Sequence, residues 1–139
     1  VIPDLERIAS GWLRDGLDDV RVVGKPPSEV ATPWVQVVQV DAPQEPGSRA
    51  DHLVPFLMQF DCYAGADGGQ PEANALGRLV RARLIALPGM RDGAVVTGVR
   101  IVGDTRVPDD TFEPSRERRV ITTTIWAHAA PVLESVGEP

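Results

Sequence analysis

Cys62, His52 and His128 are the side chains best suited to hold a transition metal, and acyl-transfer chemistry would have to start from a nucleophile such as Ser10, Ser28, Ser48, Ser115 or Ser135. A zinc site takes about four clustered ligands. Cys62 and the two histidines stand far apart and share no ligand spacing, so structural roles suit them better. None of the serines sits in a Gly-x-Ser-x-Gly setting or beside another supported base. Gly24-Lys25 runs straight into Pro26 without the earlier glycine of a phosphate loop. The glycines of residues 65–69 could offer N–H groups to an anion, yet they lack a dinucleotide fingerprint and include Asp67. The pairs Asp18-Asp19 and Asp109-Asp110 could in principle bind a cation or act as acid and base. Adjacent loop acids are more commonly just solvated. The expectation is a chain that is not an enzyme, with no catalytic, cofactor-binding or metal-binding residues and no cofactor.

Composition narrows the class further. With 139 residues the chain is one domain by length, and 42% hydrophobic residues suffice for a core. The formal charge of −6 opposes broad, salt-driven binding to nucleic acid. Apolar runs such as residues 34–40 are too short to span a membrane. The N-terminus lacks the pattern of a signal peptide, which favours a cytoplasmic site. A single cysteine allows no internal disulfide, and Cys62 is expected to be a small buried hydrophobe.

The elements that would position any site follow from periodicity. Leu5, Ile8, Ala9, Trp12 and Leu13 predict an amphipathic helix over residues 3–15, with Gly16 supplying a left-handed turn at its end. Residues 18–23 form a short extended piece. The β-branched run of residues 34–40 predicts the first full strand, and the proline-rich residues 41–51 a loop joining two antiparallel strands. In residues 53–63, Val54, Phe56, Met58, Phe60 and Cys62 alternate with Gln59 and Asp61, so one face is core. Pro55, lacking an N–H, belongs near the strand start or on an edge. A second helix over residues 71–87 carries Ala73, Leu76, Val80, Leu84 and Leu87 on one side and Arg78, Arg81 and Arg83 on the other. Strands at residues 94–102 and 117–128 follow, separated by a long polar loop. The fold class expected is α+β: a mostly antiparallel sheet of about four to five strands with two helices packed on one face. Residues 1–129 form this domain, and residues 130–139 a flexible C-terminal tail.

Two long polar connections exceed what a domain needs for its own stability. In the second, Asp104, Asp109, Asp110 and Glu113 precede Arg116, Glu117, Arg118 and Arg119. A solvated hairpin loop accounts for that pattern; so does a contact in which one copy's acids meet the next copy's arginines in a head-to-tail ring. The interface candidates are Asp104, Arg116, Arg118 and Arg119, and reversing Arg118 and Arg119 to Glu is expected to impair assembly with the fold intact.

Five stretches, taken in order, resemble the tail-terminator, or minor tail, proteins of long-tailed phages: residues 2–6 (Ile-Pro-Asp-Leu-Glu), 33–37 (Pro-Trp-Val-Gln-Val), 60–64 (Phe-Asp-Cys-Tyr-Ala), 84–89 (Leu-Ile-Ala-Leu-Pro-Gly) and the final Thr-rich strand. The likeness covers nearly the full chain and includes no catalytic signature. It implies a structural virion protein at the tail–neck junction, made in the host cytoplasm. That protein forms a ring of six copies at the head-proximal end of the tail tube, where it stops polymerisation. Its implied partners are itself, the tail tube protein and a neck or head-completion protein; DNA passes through without specific binding. A head-completion or stopper ring protein, or a small ligand-binding α+β domain, is the alternative. Because DNA must pass, acids of the long loops, Asp41, Glu45, Asp109, Asp110 and Glu113, are candidates to line the channel and repel it. Keeping the free subunit soluble is the competing role for the same acids.

Overall fold

Asp4 starts the first helix by accepting a hydrogen bond from the Arg7 N–H (3.1 Å), which satisfies one of the donors a helix leaves open at its N-terminus. The computed structural model describes residues 3–25, 32–41, 53–65, 68–112 and 115–129. In chain order they form α1 (Leu5–Gly16), β1 (Arg21–Val23), β2 (Trp34–Asp41), β3 (Val54–Tyr63), α2 (Gln70–Ile85), β4 (Gly89–Arg91), β5 (Ala94–Arg106) and β6 (Arg118–Ala129). The architecture is α+β. Of the loop expected at residues 41–51, Asp41 belongs to β2 and the rest, like the expected tail of residues 130–139, lies outside the described residues.

The sheet has six strands in the order β1-β2-β3-β6-β5-β4. That corrects the expected four to five strands and a mostly antiparallel arrangement: β1 pairs parallel to β2, Arg21 opposite Trp34, and the sheet is mixed. The other pairings are antiparallel. The sixth strand, β4, is created by the Asp92-Gly93 turn, where both residues take positive φ (48° and 82°) as a two-residue hairpin requires.

The register explains which side chains are core. Val35, Cys62 and Arg119 lie in one row across β2, β3 and β6, and Val37, Phe60 and Ile121 in the next. Phe56, Met58, Phe60, Cys62, Ile121 and Ile125 are buried with Leu5, Ile8 and Leu13 of α1 and Leu76, Val80 and Leu84 of α2 in a single cluster. Both helices therefore cover the same face. Each fully buried side chain of this size contributes on the order of 1.5–3 kcal/mol. The intervening positions, Trp34, Gln36, Gln59, Asp61, Tyr63, Arg118 and Thr122 among them, fall on the opposite face.

Gly16 does not make the left-handed turn expected of it. It is the last helical residue, and Leu17 leaves in extended conformation while its N–H still donates to the Leu13 carbonyl. Gly16 is small for another reason: a β-carbon there would collide with the Arg83 guanidinium. The positive φ falls instead at Asp19 (58°). Pro55 sits near the start of β3, beyond Leu57, where the pairing with β2 ends. The open edges are managed locally. Two bulges interrupt β5 at Val96/Gly98 and Ile101/Gly103, and the Gln39 N–H on β2 donates to Glu6 (3.2 Å).

Candidate functional site: the β5–β6 hairpin and its two ionic networks

β5 runs on to Arg106, so most of the loop expected at residues 103–116 is a continuing hairpin. Beyond the strands, Val107 N–H donates to the Arg118 carbonyl, and Asp109 and Arg116 exchange both backbone hydrogen bonds (2.8 and 3.0 Å). The acids and arginines segregated in sequence are thereby brought opposite one another within one chain. Because consecutive strand residues point to opposite faces, Arg118 and Arg119 enter two separate networks.

On the face opposite the helices, the buried rings of Trp34 and Tyr63 stack with centroids 4.2 Å apart, and Phe112 from the hairpin tip meets both edge-on. The Tyr63 hydroxyl donates to Asp109 Oδ2 (2.7 Å), and the other Asp109 oxygen accepts from the Thr111 N–H and hydroxyl (3.0 and 2.6 Å). Arg118 donates to the Val107 carbonyl (2.9 Å) and to the Tyr63 oxygen (3.3 Å), and its Nη1 lies 3.7 Å from Asp61 and 3.8 Å from Asp109. Burial pushes the Asp61 carboxyl up despite a hydrogen bond from Gln59 and the nearby Arg118 charge. For Asp109, burial acts in the same direction but is outweighed by the hydrogen bonds from Thr111 and Tyr63, so its carboxyl lies below the usual range. Burial and the bond to Asp109 push the Tyr63 phenol up.

On the helix-covered face, Asp104 accepts from Arg119 Nε (2.5 Å) and Arg81 Nη1 (2.8 Å), and Arg119 also reaches Asn74 of α2 (3.2 Å). Gly77 permits this approach, since a β-carbon there would lie 3.3 Å from Arg119 Cγ. Burial works against the Asp104 charge, but the two arginines prevail and hold its carboxyl below the ordinary range. Arg106 and Glu117 complete the hairpin with a two-pronged pair (both 2.8 Å) that lowers the Glu117 carboxyl.

Of the interface candidates, Asp104, Arg118 and Arg119 are thus partnered inside the chain. Arg116 pairs through its backbone with Asp109, its guanidinium 5.8 Å from the Phe112 ring. Reversing Arg118 and Arg119 would break these in-chain pairs, so lost assembly in such a variant locates an interface only if its melting is unchanged. Asp109 is also corrected as a channel-lining candidate, because it is buried and its oxygens are occupied. Asp110 is exposed; the side chain of Asp41, and Glu45 and Glu113 entirely, lie outside the described residues. Asp61, Tyr63, Asn74 and Glu117 were not anticipated in these roles. The alternation in β3 had placed Asp61 opposite the core side chains, and the helical stripe had placed Arg78 and Arg81 together, but nothing local tied either group to the hairpin.

Cys62 is fully buried, with its thiol pushed up by burial and by Asp61. Among the described residues, no three His, Cys, Asp or Glu side chains group as metal ligands, and no helix is long and apolar enough to cross a membrane. No protein-family model matches this chain, and no curated protein matches it.

The lowered carboxyls give a pH prediction. A carboxyl whose folded pKa lies below its unfolded value contributes stability that is present above the unfolded value and lost as pH falls through the folded one. Asp104 and Asp109 fall below 3.8, and Glu117 below 4.5. Asp61, raised above 3.8, has the opposite sign. The urea midpoint is expected to drop steadily as pH falls from about 4.5 toward 2, with a shallower drop in Asp104→Asn. Equal slopes for both proteins would show that Asp104 is not a source of the acid sensitivity.

Proposed function

We propose that this chain is a structural virion protein of the tail-terminator type, forming a ring, most naturally of six copies, at the head-proximal end of a phage tail tube. In this reading one face of the ring stops tube growth, the other receives a neck protein, and DNA passes through the centre without being held. The observation that carries the reading is that three of the five stretches resembling that family lie on adjacent strands of the sheet. Trp34 of the 33–37 stretch stacks on Tyr63 of the 60–64 stretch, and Phe60 and Asp61 of that stretch pair with Ile121 and Val120 of the final strand. They serve as framework, as a part selected for shape rather than chemistry requires. The hairpin of β5 and β6, stiffened by ion pairs on one face and anchored by Phe112 on the other, gives the layer a rigid charged border. A heterologous, ring-closing contact can use such a border as its polar rim.

Removing the gene and measuring tails by electron microscopy tests this. Tubes of unregulated length, with the protein found at one end of wild-type tails and recovered from them as a cross-linked six-membered species, are the expected result. Tails of normal length beside heads that leak DNA would assign the stopper role instead, and only two-fold cross-links would end the ring reading.

A further inference from the structure

We infer that the space between α2 and the end of the β5–β6 hairpin is a carboxylate-binding site, and that its occupant is the Asp18-Asp19 turn of a second copy of this chain. The inference rests on the ring reading and specifies which side chains would meet. Asn74, Arg78, Arg81, Asp104 and Arg119 line a cavity of about 270 Å³. Asp104 is shared by Arg81 and Arg119, so three guanidinium groups face one carboxylate and the site carries a surplus of two positive charges. Each guanidinium has five donors. Arg78 is exposed and, among the described residues, has no hydrogen-bond or ion-pair partner. In a chain of net charge −6, this concentration of unspent donors is a local reversal of sign. A planar carboxylate, which arginine can grip with two parallel hydrogen bonds, matches it.

The second copy supplies the complement. Asp18 and Asp19 are exposed in the turn before β1, with Asp15 at the end of α1 beside them, and among the described residues none of the three has a partner. The same corner holds Arg14, which donates to the Val22 carbonyl, together with Arg21 and Lys25. Asp19 takes φ 58°. The turn and the cavity stand at opposite sides of one layer. β1 is the edge strand on one side; at Asp104, beyond the reach of β4, β5 is the edge on the other. Both lie toward the end of the sheet where Arg21, Trp34, Tyr63 and Arg118 align across four strands. Unlike borders on the two edges of one sheet allow one copy to follow another head to tail without using any patch twice, the requirement for a closed ring. A nucleic-acid phosphate would satisfy the same donors, but a single cavity on an acidic chain gives no track for a backbone.

Two single-substitution variants test the contact while sparing the arginines and one of its two acids: Ala82→Cys, one turn from Arg78 on α2, and Asp18→Cys, which leaves Asp19 in place. Buried Cys62 does not compete. Mixed at high concentration under a mild oxidant, the two are expected to form a disulfide-linked pair about tenfold faster than either alone, and more slowly in high salt. Adding Arg78→Glu to the first should abolish the excess; adding Asp19→Arg to the second should restore it. No excess of the mixed pair, or an excess indifferent to these charge changes, overturns the contact. Native mass spectrometry of the unaltered chain and of isolated tails separates the two readings. A six-membered species without the mixed disulfide retains the ring and removes this contact; dimers linked equally by each variant alone remove both. Binding of a DNA oligonucleotide that Arg78→Glu abolishes, with no mixed disulfide, would assign the cavity to phosphate instead.

Discussion

Arg118→Glu is expected to lower the free energy of unfolding by about 3 kcal/mol, the cost typical of breaking a buried ion pair by removing one partner. Arg118 is the only cation described within 4.0 Å of two carboxylates that have little access to water: Asp61, with 7% of its side chain exposed, and Asp109, with 11%. Glutamate would place a third carboxylate between them and withdraw the hydrogen bonds that Arg118 gives to Val107 and Tyr63. In a chain of this size the loss corresponds to a fall in melting temperature on the order of 10 °C. Arg118→Met, which keeps the bulk but not the charge, should cost less because it adds no repulsion. Arg78→Glu, on an exposed side chain without a partner among the described residues, should stay within about 0.5 kcal/mol. Urea unfolding of the three variants at neutral pH checks the ranking. If Arg118→Glu unfolded at the wild-type midpoint, the network would be ornamental and Arg118 would again be available to a neighbouring copy.

That ranking also marks where sequence reasoning stops. The alternation of Val54, Phe56, Met58, Phe60 and Cys62 reveals β3 and its core face because period two is a local property of the chain. Leu76, Val80 and Leu84 do the same for α2. The parallel pairing of β1 is set by which neighbour a three-residue segment finds in space, and three residues carry no periodic signal. β4 did leave one, the Asp92-Gly93 pair, which is a strong hairpin cue when strands flank it. The proline and glycine at residues 88–89 draw attention away from it. The charge pattern of residues 104–119 was visible, but not its resolution. Whether Asp104 meets Arg119 in its own chain or in another depends on the β5–β6 register, which the bulges shift. Once that register is fixed, the unspent charge moves away from the hairpin to Arg78 and to Asp18 and Asp19, residues that local reading leaves as solvated surface.

The adjacent acids Asp109 and Asp110 should behave as opposites, and the difference determines how the proposed passage of DNA can be tested. Asp109→Asn is expected to cost about 2 kcal/mol, the range for hydrogen bonds to a charged group. The Tyr63 hydroxyl and both Thr111 donors converge on the two Asp109 oxygens, and an amide can present only one oxygen to them. Asp110→Asn, on an exposed side chain, should change stability by less than about 0.5 kcal/mol. Thermal unfolding of the two variants decides it, and equal effects would remove the assigned role of Asp109. A test of channel charge that neutralised Asp109 would therefore confuse a damaged hairpin with a lost field. The usable set is Asp41, Glu45, Asp110 and Glu113, replaced together by Asn or Gln. Six copies at −6 each would carry about −36 in all, but salt screens the field beyond about 8 Å, so only acids lining the channel act on passing DNA. In the proposed ring this variant should leave tail length normal while slowing or blocking DNA ejection, because a less acidic wall no longer keeps phosphates from lingering near whatever cations remain. Ejection at the wild-type rate, with the substituted protein present in the particle, would reduce these acids to keeping the free subunit soluble.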